Sequence, residues 1–182
     1  MTPRIEATTD GPAAELILHD LEPSLAARHL PPASDSLALF PALPMVRPCR
    51  GCFNCWTETP GRCVQGDRGS DFALLMIGKR RLTLVSRLVF GAPSPAVKAV
   101  LDRSIGFILP FFASRGRGMR HRPRYESSPG LRFCYYDARD PGQRKTAEKL
   151  TLANQINFMA PEAETLFFSS LEELGAGLKG GK

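Results

Sequence analysis

The chain reads as an α/β protein with a parallel sheet covered by helices on both faces. Three observations carry that reading. Short apolar runs recur at 15–19, 37–40, 82–85, 131–136 and 165–169. Longer amphipathic or charged stretches separate most of them. Strand–helix alternation at these lengths builds roughly five parallel strands through crossovers. With 182 residues, 43% of them hydrophobic, a single domain spanning 1–182 with one sizeable core is expected.

The elements follow in order. Glu15–His19 forms a first short strand, and Leu21 to Leu30 a helix. Leu37 to Phe40 is a second strand, confined by prolines at 41, 44 and 48. A cysteine loop occupies 48–68. Ser70 is placed to cap a helix running to Gly78, with Asp71 in its first turn. Leu82 to Val85 reads as a buried strand, and Gly91-Ala-Pro-Ser as a turn. Ser94 caps the next helix, with Pro95 at its favoured first position. Val97, Val100, Leu101, Ile105 and Ile108 share one helical face, so this helix is expected to run until Pro110. Leu131 to Tyr136 is a strand, Gly142 to Phe158 a long helix and Thr165 to Ser169 a last strand. A short helix then ends near Gly175.

The formal net charge is +6. Much of the excess sits in Arg115, Arg117, Arg120, Arg122 and Arg124, within a basic loop at 113–125. That loop is either a solvated surface or faces a phosphate of a nucleotide or partner. Nucleic acid is not expected, since no helix presents these arginines and no aromatic platform interleaves them. No apolar run reaches membrane-spanning length. The N-terminal stretch MTPRIEATTDGPAAELIL lacks the apolar core of a signal peptide. A cytoplasmic location follows, and a reducing compartment argues against structural disulfides.

The most specific feature is CRGCFNCWTETPGRC: Cys49, Cys52, Cys55 and Cys63 in fifteen residues. Zinc sites usually draw two separated pairs of ligands. Three cysteines at two-residue steps read instead as the run that wraps an iron–sulfur cluster. Four-thiolate zinc, a C-x-x-C dithiol with a depressed thiol pKa, and plain packing remain open. Gly51 and Gly61 suit the tight turns of such a loop. Cys134 lies in an apolar strand and reads as a small buried hydrophobe. His19, His29 and His121 are scattered, with no metal-ligand pair and no hydrolytic triad among them.

PCRGCFNCWTETPGRCVQGD followed by SRLVFGAPSPAVKAVLDRS resembles the flavodoxin-like NADPH-dependent FMN reductases, in particular their iron–sulfur flavoprotein-like branch. Lys98, Asp102 and Arg103 match that branch's Lys-x-x-x-Asp-Arg helix. The resemblance implies a flavodoxin-like three-layer α/β/α sandwich and an FMN-dependent oxidoreductase or electron carrier, commonly a homo-oligomer. FMN and NAD(P)H would be its nucleotides, with a redox partner protein as the other expected partner. Ser86, Phe90 and Gly91 would line the flavin ring, and the four cysteines would hold the cluster. Three features depart from the pattern. The segment after the first strand, Asp20-Leu-Glu-Pro-Ser-Leu, has no glycine and carries two carboxylates where the family receives the flavin phosphate. Arg87 and Val89 replace the proline and tyrosine of the second flavin loop. Arg68 replaces the second acid of an acidic pair. These departures favour an alternative: a non-catalytic binding or subunit protein with a decayed flavin site and a structural or zinc-binding cysteine loop.

Overall fold

A computed structural model describes residues 14–115 and 118–180, leaving aside the side chain of Arg115. The first thirteen residues and Arg117, both interpreted above from the sequence, lie outside the described residues.

Five strands form the parallel sheet: β1 Glu15–His19, β2 Leu37–Pro41, β3 Arg81–Val89, β7 Gly130–Tyr136 and β8 Ala163–Phe167. They pair in the order β2-β1-β3-β7-β8, which is the flavodoxin-like order. The short β4, Ala92–Pro93, folds back antiparallel on the end of β3. The innermost strands are apolar on both faces because helices cover both. Leu82 to Ser86 of β3 is buried without a break. The edge strand β8 instead alternates half-buried and exposed residues.

Two hydrophobic clusters flank the sheet. Ile17, Leu21, Leu30, Val85, Cys134 and Leu174 pack on the side of α1 (Pro23–His29) and α6 (Leu171–Gly180). Leu16, Leu18, Leu84 and Phe133 face the larger cluster instead. That cluster takes Phe72 from α3 (Phe72–Leu75), Val97 and Val100 from α4 (Pro95–Arg103) and Ala147 from α5 (Pro141–Phe158). The expected three-layer α/β/α sandwich is therefore the fold. No described helix is long and apolar enough to cross a membrane.

Several elements differ from expectation. Ser70 caps no helix: Asp67 caps a 3-10 turn at Arg68–Asp71 by accepting the Gly69 N–H, and α3 is a single turn ending at Leu75. Ser94 is the N-cap of α4 but makes no side-chain cap hydrogen bond. Helix α4 stops at Arg103, tightens into a 3-10 turn at Ser104–Phe107, and gives way to a strand. The i, i+3, i+4 spacing of Ile105 and Ile108 mimics a helix, but both residues wall a cavity instead.

The basic segment 113–125 is largely the arms of an antiparallel ribbon, β5 Ile108–Arg115 with β6 Gly118–Pro123. Pro110 does not end a helix. It falls where the register shifts between Ile108 and Phe112, the kind of interruption that tolerates a residue with no N–H to donate. Strand β8 begins two residues earlier than expected, and α6 runs on to Gly180.

Candidate functional site: the cysteine loop and its cavity

The cysteine loop begins past the carboxyl end of β2, where open α/β sheets bind ligands. Its two feet are tied together. The Arg47 N–H donates to Asp67 Oδ2 at 3.2 Å, and the Arg47 guanidinium donates to the Gln65 carbonyl. Gln65 Nε2 donates to the Pro48 carbonyl at 2.9 Å. Within the loop, Gly51 and Phe53 adopt left-handed backbone conformations, and the Gly51 N–H points at Cys49 Sγ at 3.5 Å. A single helical turn, α2 (Asn54–Thr57), follows. Gly61, at φ 86°, turns the chain back so that its N–H reaches the Cys55 carbonyl at 2.9 Å.

Trp56 pins this loop to the rest of the molecule. Its indole N–H donates to the carbonyls of Ile105 (3.1 Å) and Ile108 (2.8 Å). Phe53 stacks on one side of it, with ring centroids 5.2 Å apart, and His121 of β6 lies 5.7 Å away. An indole N–H turned away from water needs a partner, and here the two carbonyls hold the half-buried Trp56, and with it the loop, in place.

All five described cysteines are free thiols. Cys49, Cys52, Cys55 and Cys63 line one cavity of about 590 Å³, a volume suited to a small molecule. Its other walls come from Leu101 and Arg103 of α4, from Ile105 and Ile108, from His121, and from Leu150, Asn154 and Phe158 of α5. Cys49 and Cys52 are exposed at its mouth, while Cys55 is buried. Burial pushes the Cys55 thiol upward, and the nearby Cys63, Cys49 and Cys52 push it further in the same direction. Among the described residues, no three Cys, His, Asp or Glu side chains are grouped so as to hold a metal ion as they stand. The donor set still has the chemistry of a soft-metal or cluster site: four thiols from one loop, and N–H donors at Cys49 and Cys63.

Arg103 is the centre of the polar network beneath the loop. Its Nε donates to Cys63 Sγ at 3.3 Å and its Nη2 to Ser70 Oγ at 3.1 Å. Its Nη1 donates to the Arg47 carbonyl at 3.3 Å and pairs with Asp67. Burial acts against the Asp67 charge, but hydrogen bonds from Arg103 and from the N–H groups of Arg47 and Gly69 outweigh it and hold the carboxyl below its usual range. Lys98 and Asp102 form an i, i+4 ion pair at 2.5 Å on the cavity rim. Arg68 donates to the Pro41 carbonyl at 2.5 Å and to the Pro44 carbonyl, and lies over the Phe40 ring, so it braces the end of β2.

The expected flavin residues form no pocket with the cysteines. Ser86 is fully buried: its hydroxyl accepts the Ser94 N–H at 2.8 Å and lies 3.2 Å from Asp20 Oδ2. Phe90 is 91% exposed at the tip joining β3 to β4. Gly91 packs against Thr146 and Gln143 of α5. None of the three lines the cavity.

The flavin phosphate position after β1 also fails to supply an anion cradle. The Asp20 carboxylate stands there instead, accepting the Arg87 N–H at 3.0 Å and the Tyr136 hydroxyl at 3.1 Å from the neighbouring strands. The Arg87 guanidinium is paired with Asp137 at 3.1 Å. A phosphate placed there would face the Asp20 carboxylate.

His19 and His29 are buried and neither lines the cavity. The His19 ring accepts the Leu21 N–H, and burial draws its pKa down. His121 does reach the cavity, but its Nδ1 is engaged with the Leu109 carbonyl at 2.7 Å.

Sequence reasoning missed the inward role of Arg103, the pinning by Trp56 and the α5 wall. Arg103 carried a signal: it sits three residues after Val100, on the apolar face of α4. Trp56 and the α5 wall carried none, because their partners lie about fifty or more residues away in the chain.

The chain was also compared with known proteins. No family model matches it, and no curated protein or solved structure matches it. The site must therefore be read from its own geometry.

Proposed function

We propose that this chain is a redox protein of flavodoxin-like fold whose working centre is the cysteine loop. In this reading Cys49, Cys52, Cys55 and Cys63 hold an iron–sulfur cluster, and the chain acts as an electron carrier or as part of an oxidoreductase. The observation that carries it is the sharing of one cavity wall by four thiols of a single loop, with N–H groups directed at two of the sulfurs. A cluster there supplies a one-electron couple. The protein's own part is to hold the loop closed through Arg47, Gln65 and Asp67, and to keep it against the 3-10 turn after α4 and the start of β5 through Trp56. Leu101, Ile105 and Ile108 give the cavity an apolar wall on the side of the buried Cys55, and an apolar surrounding tunes a centre's potential.

A second reading has its own support. The Asp20 carboxylate stands just past β1, tied to Arg87 and Tyr136, and would repel a flavin phosphate there, so the chain also fits a binding or subunit module whose loop holds zinc.

Anaerobic purification with metal analysis and an absorbance spectrum tests the proposal. Iron, sulfide and a brown chromophore support the cluster; stoichiometric zinc in a colourless protein supports the module. A metal-free, colourless protein sinks the metal readings altogether. Adding FMN and following its fluorescence tests the flavin separately, and unchanged fluorescence is the result expected from the Asp20 arrangement.

A further inference from the structure

The Arg103 side chain carries a charge, yet it is 0% exposed. A guanidinium withdrawn from water must be matched by acceptors. Arg103 reaches both feet of the cysteine loop: the Arg47 carbonyl before the first cysteine, and Asp67 and Ser70 after the last. Its Nε–H points at Cys63 Sγ at 3.3 Å. The fork geometry of a guanidinium allows these contacts at once, whereas a lysine ammonium offers only a point charge.

We infer that Arg103 is a positioning residue for the four-thiol centre. It fixes the Cys63 sulfur through its Nε–H, and the contacts of its other nitrogens hold the guanidinium in the orientation that aims that N–H. This rests on the reading that the loop holds a metal centre. A metal-bound cysteine is a thiolate, and a guanidinium N–H directed at it forms a charge-assisted hydrogen bond. Such outer contacts orient the ligand and typically change metal affinity by about 10- to 100-fold. Ordinary structural bracing would act on the loop as a whole; positioning acts through Cys63.

The test is an anaerobic titration of the reduced, metal-free full chain with Co²⁺, followed by thiolate-to-cobalt charge-transfer absorbance. The wild type is expected to bind with a thiolate spectrum. Arg103→Gln and Arg103→Lys are expected to weaken binding about 10-fold or more. In a Cys63→Ser background, Arg103→Lys is expected to change affinity little. Arg103→Lys keeps a cation facing Asp67 in case Arg103→Gln does not fold. Ser70→Ala loosens the fork without touching charge and is expected to weaken binding several-fold only where Cys63 is present.

Wild-type affinity and spectrum in the folded variants overturn the inference. Equal weakening with and without Cys63 overturns it too, because Arg103 is then a brace. A wild type that gives no thiolate spectrum overturns the metal reading itself, and this inference with it.

Discussion

The carboxylate of Asp20, just past β1, accepts the backbone N–H of Arg87 near the end of β3 at 3.0 Å. The same group meets the hydroxyls of Ser86 and Tyr136, so one side chain ties together the carboxyl ends of β1, β3 and β7. Replacing Asp20 with Ala leaves the half-buried Arg87 N–H and Tyr136 hydroxyl short of an acceptor, while Ser86 keeps the Arg87 carbonyl; each group left unsatisfied costs about 1–3 kcal/mol. Urea unfolding of Asp20→Ala should show a loss in that range or above. An unchanged midpoint would remove the structural role assigned to Asp20.

Asp67 gives a pH signature. Its carboxyl is held below the usual range when folded, so the stability it contributes is present above the unfolded carboxylate pKa, about 4. That contribution is lost as the pH falls through the lower, folded value. Asp67→Asn leaves the Arg103 cation uncompensated and should cost about 3 kcal/mol at neutral pH. The gap from wild type should close below about pH 4. A gap that stays constant from pH 7 to pH 3 would refute the pairing.

The cysteines divide into two groups. Cys134 is fully buried, and burial pushes its thiol up to about 12. In the native, metal-free protein, iodoacetamide near pH 8 should modify the exposed Cys49 and Cys52 and spare Cys134, as read by peptide mass mapping. Cys52→Ser should lower metal content, and Cys134→Ala should leave it unchanged. Equal loss from both would overturn the ligand assignment. Because the raised thiol resists ionisation only in the folded state, its contribution fades as the pH rises above the ordinary thiol value of 9.0 toward about 12. Cys134→Ala should flatten that part of the alkaline stability curve.

Gly91 is required where β3 turns into β4. Its φ is 78°, and a Cβ there would stand 2.6 Å from Thr146 Cβ on α5. Gly91→Ala should destabilise by about 1–2 kcal/mol from the backbone conformation alone, with the clash adding to it. Pairing it with Thr146→Gly should recover the clash part and not the backbone part. Full recovery in the thermal midpoint would show that the conformation costs nothing.

The apolar runs at 15–19, 37–40 and 131–136 and the long amphipathic stretch ending at Phe158 determine the sheet and its covering helices. Strand identity depends on local period and on burial from both faces, and both are written in consecutive residues. The four-cysteine spacing is equally local, so the candidate centre was legible before any fold. The length of α4 was not. Ile105 and Ile108 keep helical spacing, but the chain leaves the helix at Arg103 because the cavity wall and the Trp56 indole need them and their carbonyls elsewhere. The segment 113–125 reads as a basic loop in the sequence because its strand partner is the adjacent arm of the same ribbon and its arginines mask the strand pattern. Only the tertiary structure brings Arg103 to Cys63 across forty residues, and Asp20 to Tyr136 across more than a hundred. Such contacts depend on how crossovers stack the strand ends, and no local propensity encodes them.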